Sequence, residues 1–141
     1  MTQLNFHNNF NSYNAPPQTL PVLEKSKSVY KKWLEVHRNM ERTARFGLGN
    51  KIDILFLDLL ELLRKSVYSP INKKLEILEL AIEKVDSLRF FLQLLWEAKF
   101  TSNKTYISLA SDTEDLGKII GGWRKGILTK LPPIKAGERK Q

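Results

Sequence analysis

Apolar residues recur at intervals of three and four along most of the chain, the period that lines one face of an α-helix. Four such stretches are separated by Gly, Pro and Ser/Asn punctuation. The first, residues 22–46, sets Val22, Val29, Trp33, Val36, Met40 and Ala44 on one stripe and ends at Gly47-Leu48-Gly49. The second, about residues 51–68, carries Ile52, Leu55, Phe56, Leu59, Leu62 and Leu63 on one face, with Ile54 and Leu57 on the far side. A helix apolar nearly all round needs cover, so it lies centrally or meets another subunit. Ser69-Pro70 stops it, and Asn72 is the expected cap of a third helix reaching Phe100. The third seam runs Leu75, Leu78, Ile82, Val85, Arg89, Leu92 and Trp96, with Phe90 on an otherwise acidic face. Asn103 is the expected cap of the fourth, whose stripe is Tyr106, Leu109, Thr113, Leu116, Ile120, Trp123 and Ile127. No period-2 run of β-branched residues occurs. Short connections make neighbouring helices antiparallel, so the pattern predicts an all-α, up-down-up-down four-helix bundle over residues 22–130.

Composition changes this picture mainly through charge. The 141 residues include no Cys, which removes disulfides, Cys-ligated metals and thiol nucleophiles and fits a reducing compartment. A chain of this length buries enough surface to fold as one domain without staples. Residues 1–21 carry no charged side chain and five Asn, and they read as a disordered leader without the features of a signal peptide. No apolar run is long enough for a transmembrane helix, and a cytoplasmic protein is expected. The formal net charge of +8 is unevenly spread: +2 over residues 24–116 and +6 over residues 117–141, the last eleven of which are expected to form a flexible basic tail.

Enzymatic chemistry finds little support. The two histidines, His7 and His37, do not follow a Glu at the spacing that di-iron bundles use, and no Gly-rich phosphate loop is present. His37, at the edge of the first stripe, is expected to be a half-buried structural imidazole. No cofactor, metal or catalytic residue is assigned.

The basic residues carry the functional hint. On a continuous first helix Lys27, Lys31, Arg38, Arg42 and Arg45 share one outward stripe about 27 Å long at 1.5 Å per residue. With Lys118, Arg124 and Lys125 they form the candidate nucleic-acid contacts, which would supply affinity for phosphates without sequence specificity. A solvated face flanked by Glu24 and Glu35 is the competing reading. Arg89 either snorkels or meets a carboxylate or partner, and Phe90 is either a scattered surface ring or an anchor. Ile54, Leu57, Arg89 and Phe90 make the candidate interface.

Two strings, Leu88-Arg89-Phe90-Phe91-Leu92-Gln93-Leu94-Leu95 and Asp115-Leu116-Gly117-Lys118-Ile119-Ile120-Gly121-Gly122-Trp123, resemble the accessory variability determinant proteins of diversity-generating retroelements. Those proteins belong to a wider group of four-helix proteins that includes the ones encoded by intervening sequences in 23S rRNA genes. The resemblance covers roughly residues 22–130. It implies a homopentameric barrel that binds the element's reverse transcriptase and RNA or DNA, supports mutagenic retrohoming, and does no catalysis itself. Arg89 matches the arginine of the Leu-Arg-Phe string, and Lys118 stands where relatives carry Arg. An intervening-sequence-type protein and an oligomeric scaffold without nucleic acid remain the alternatives.

Overall fold

Thr19–Arg38 form α1, Arg42–Phe46 the short α2, Leu48–Tyr68 α3, Ile71–Glu97 α4 and Asn103–Lys130 α5. The computed structural model describes residues 19–131. Among them no strand occurs, and no helix is long and apolar enough to cross a membrane. The leader expected over residues 1–21 lies outside the described residues except for 19–21, which start α1; the tail expected over 131–141 lies outside them beyond Leu131.

The described residues form an all-α bundle. Its four long helices pack in a closed cycle, α1 on α3, α3 on α4, α4 on α5 and α5 back on α1, while α2 sits against α3. Flanking contacts fix the directions. Lys25 reaches Asp115 and Lys32 reaches Asp112 and Ser108, so α1 and α5 run oppositely. Lys84 faces Asp58, while Lys74 meets the end of α3, and Arg89 pairs with Glu114 while Arg124 pairs with Glu79. Each consecutive long pair is therefore antiparallel.

Each helix buries one stripe. Val22, Val29, Trp33 and Met40 come from the first stretch; Ile52, Leu55, Phe56, Leu59 and Leu63 from α3; Leu109, Thr113, Leu116, Ile120 and Ile127 from α5. On α4 the stripe is Leu78, Ala81, Val85, Leu88, Leu92 and Leu95, alternating three and four. Leu78, Val85 and Leu92 of the expected seam are inward, whereas Ala81, Leu88 and Leu95 take the places expected for Ile82, Arg89 and Trp96. Buried Ser26, Ser66 and Thr113 donate to carbonyls of their own helices, and no buried side-chain polar atom among the described residues lacks a partner.

Three helix ends differ from expectation. The first stretch is not one helix: Asn39 donates its amide to the Glu35 carbonyl, the Met40 N–H turns back to His37, and the helix stops at Arg38. A short polar side chain competing for helix carbonyls is a sufficient cause. Pro70 rather than Asn72 precedes α4, and Ser102 rather than Asn103 caps α5, its hydroxyl accepting from the Thr105 N–H at 3.1 Å. Asn103 instead accepts from the Trp96 indole at 2.6 Å. At the end of α4, Lys99 adopts φ 66°, with Lys99 N–H on Trp96 and Phe100 N–H on Leu95, the double hydrogen bond of a Schellman turn made without glycine.

α2 folds back because α3 begins at its foot. Gly49, one residue into α3, is buried, and a Cβ there would stand 2.9 Å from His37 Cδ2, 3.0 Å from the Ala44 carbonyl and 3.0 Å from Met40 Sδ. The Ala44 oxygen is backbone and cannot swing aside. Gly49→Ala is therefore expected to cost about 1–3 kcal/mol despite the better helix propensity of Ala. Denaturant unfolding measures this; unaltered stability would show that the corner has slack.

Candidate nucleic-acid interface and subunit face

The joint between α1 and α3 is polar at one point. Asp53 Oδ1 accepts from Tyr30 Oη at 2.9 Å and from Trp33 Nε1 at 3.2 Å, and His37 Nδ1 lies 3.9 Å away. His37 stacks on Trp33 at 5.2 Å and 17°, and its Nε2–H donates to the Arg45 carbonyl at 3.2 Å. The half-buried structural imidazole expected at His37 is what the fold contains, and it reaches across the break between the helices to hold α2. Asp53 carries no sequence motif, yet it collects the hydrogen bonds of two aromatic residues one turn apart on α1.

The basic stripe is divided. Lys27, Lys31 and Arg38 share the outer face of α1 over about 17 Å at 1.5 Å per residue. Arg42 and Arg45 belong to α2, so the continuous 27 Å stripe does not exist. Lys27 is paired with Glu24 at 2.9 Å and Arg38 with Glu35 at 2.8 Å. Both pairs are exposed and contribute little to stability. Lys31 is exposed, with no carboxylate partner among the described residues. The Arg42 and Arg45 guanidiniums stand 5.8 and 5.4 Å from the centre of the Phe46 ring. On α5, Lys118 and Lys125 are seven residues apart on the outward face and carry no ion pair among the described residues, whereas Arg124 turns inward to Glu79 at 2.8 Å.

The two motif strings meet each other. Arg89 is exposed at the α4–α5 flank, bound to Asp86 at 2.6 Å and to Glu114. A Cβ on Gly117 would fall 2.8 Å from Arg89 Nη2, so the glycine of the second string clears the space that the arginine of the first fills. Phe90 points outward, 64% exposed, with its ring edge-on to Phe91 at 5.1 Å. Ile54 and Leu57 on α3 are 46% and 45% exposed. Arg89 is thus held by intrachain carboxylates, while Ile54, Leu57 and Phe90 are apolar surface. Sequence reasoning passed over Phe46, at 68% the most exposed of the large apolar side chains described, because the first helix was read as continuous through it.

Among the described residues no cluster of three or more His, Asp or Glu could hold a metal ion. Lys74, Glu61 and Arg64 nonetheless have displaced acidities. The Lys74 ammonium, donating to the Ser66 and Val67 carbonyls at 2.8 and 3.0 Å, is pulled below the usual lysine range by burial. The hydrogen bond from Arg64 lowers Glu61.

No family model matches the sequence, and no curated protein matches it. A solved structure does match in shape: a protein of unknown function from the S23 ribosomal protein family of Bacteroides thetaiotaomicron. It has a TM-score of 0.70 at 15% identity, covering 77% of this chain and 98% of that one. The bundle therefore has the fold of that S23-family protein. At this identity the likeness extends to the fold alone.

Burial, followed by the hydrogen bond to Asp53 and that residue's charge, pushes the Tyr30 phenol up to about 12. A folded value above the unfolded value of about 10 means stability present below pH 10 and lost as pH rises through about 12. Denaturant unfolding across this window should show wild type losing stability more steeply than Tyr30→Phe. Parallel curves would place Tyr30 in a solvent-like setting.

Proposed function

We propose that the chain is a non-enzymatic accessory protein of a diversity-generating retroelement. It binds the element's reverse transcriptase and RNA or DNA through basic surfaces and supports synthesis of cDNA from template-repeat RNA. The strings around Arg89 and Gly117 support the family reading. The observation that carries the nucleic-acid part is the sorting of cations: Lys31, Arg42, Arg45, Lys118 and Lys125 have no carboxylate partner among the described residues, while Lys27, Arg38 and Arg124 do. An ion-paired side chain must first be released to meet a phosphate; an unpaired one is ready. The apolar surface at Ile54, Leu57 and Phe90 suits burial between copies, for which a closed ring such as a pentamer is the reading that the family likeness supports. The protein works in the cytoplasm, without a cofactor.

A second reading is favoured by the S23-family name of the solved neighbour: a ribosomal intervening-sequence-type protein of the same fold and phosphate contacts, with no reverse transcriptase partner. Co-purification with the reverse transcriptase of a neighbouring gene separates the two.

Fluorescence anisotropy with labelled RNA and DNA over a salt series tests the phosphate contacts. Affinity should fall log-linearly with salt. The triple variant Lys31→Glu, Lys118→Glu, Lys125→Glu should bind both polymers at least about tenfold more weakly at low salt, irrespective of sequence. Salt-independent binding, or an unweakened triple variant, would remove these lysines from the interface.

A further inference from the structure

The α2 corner differs from every other place where the described residues put an arginine. Arg38, Arg64, Arg89 and Arg124 are each tied to carboxylates of the same chain, at Glu35, Glu61, Asp86 with Glu114, and Glu79. The two that are not, Arg42 and Arg45, both lie within 6 Å of one ring, that of Phe46, and that ring is 68% exposed. A largely exposed aromatic ring with two unpaired guanidiniums within 6 Å offers apolar surface and a set of fork-shaped donors within one turn of helix.

We infer that Phe46, with Arg42 and Arg45, is a stacking site for an unpaired base of single-stranded nucleic acid. This rests on the nucleic-acid reading above and adds to it a strand preference and a residue that makes no phosphate contact. A base lies against the Phe46 ring or against a guanidinium plane, while the arginine N–H groups take the adjacent phosphates. In a duplex the base faces are already stacked, so the ring has nothing to meet. A protein partner fits less well: covering Phe46 would bury both guanidiniums, which then need carboxylates from the partner to offset their lost hydration. A nucleotide supplies the base face and the anion together. The corner is also held in place, because Ala44 is buried, the Arg45 carbonyl receives the His37 N–H, and Gly49 lets α3 close beneath it. Little ordering remains for the moment of binding.

The test uses the full chain with labelled oligo(U), oligo(dT), an abasic oligomer of equal length and a duplex, by anisotropy, with circular dichroism and native mass measured for every variant. Phe46→Ala should weaken binding of the base-bearing single strands about 5- to 150-fold, the range of base–aromatic stacking. It should leave the abasic and duplex affinities and the salt slope unchanged. Phe46→Trp should bind at least as tightly as wild type, with its indole emission quenched by the strand. Arg42→Ala with Arg45→Ala should instead lower the salt slope by about 1.4. A loss with either oligo(U) or oligo(dT) supports the site and tells ribose from deoxyribose. Equal binding of abasic and base-bearing strands, or an unaffected Phe46→Ala, would overturn the stacking site while leaving the phosphate reading standing. Wild type that binds no nucleic acid at low salt would overturn both. A changed mass for Phe46→Ala would assign the ring to a contact between copies and overturn the inference.

Discussion

A carboxylate on the flank of an apolar helix must be given donors or it destabilises the fold. Asp53 is such a group, and Tyr30 and Trp33 both point at its Oδ1 from α1. The geometry that satisfies the carboxylate also fixes the axial register of α1 on α3, because a slide by one turn would strand both donors. Trp33 is fully buried, packs on Phe56, and supports the His37 ring on which α2 depends. From that one joint the chain gains its α1–α3 register, the seat of α2 and the close approach at Gly49. The remaining inter-helix contacts are apolar stripes flanked by ion pairs and by hydrogen bonds from long flexible side chains, such as Lys32 to Ser108 and Lys74 to the Ser66 and Val67 carbonyls.

The apolar stripes were legible because burial follows period: the inward residues of the first stretch, α3 and α5 are nearly those that the spacing selects. On α4 the spacing was ambiguous. Leu78, Val85 and Leu92 belong equally to a stripe through Ile82 and Arg89 and to one through Ala81 and Leu88, and only packing decides between them. Small Ala81 weakened the signal for the stripe that won. The break after Arg38 has a signal in the sequence, His37 and Arg38 in a last turn followed by Asn39. Reading through it joined Arg42 and Arg45 to a stripe they do not share and hid Phe46. The caps failed differently: α4 starts after Pro70, which makes no side-chain cap hydrogen bond and stands two positions before the expected Asn72, whereas at α5 Ser102 stands next to the expected Asn103 and its hydroxyl makes the cap.

For the candidate site, the sequence could count charges but not assign partners. Antiparallel packing brings the acids of α3, α4 and α5 against the bases of neighbouring helices, so Lys25, Lys32, Lys84, Arg89 and Arg124 are committed within the bundle. Of the candidate contacts, those without a carboxylate partner among the described residues are Lys31 on α1, Arg42 and Arg45 at the α2 corner, and Lys118 and Lys125 on α5. Likewise, the two motif strings are far apart in sequence and adjacent in space, which gives Gly117 a role no spacing rule reveals: it makes room for Arg89.

If the polar joint positions the functional corner, loosening its last link should impair binding without removing any cation. His37→Phe keeps a ring to stack on Trp33 and deletes the hydrogen bond to the Arg45 carbonyl together with the Nδ1 that faces Asp53. Hydrogen exchange over residues 42–47, read together with affinity for a single-stranded oligonucleotide, measures this directly. Faster exchange confined to that segment with weaker binding is the expected result. Unchanged exchange and affinity would contradict the claim that the joint built on Asp53 and His37 holds the corner in place.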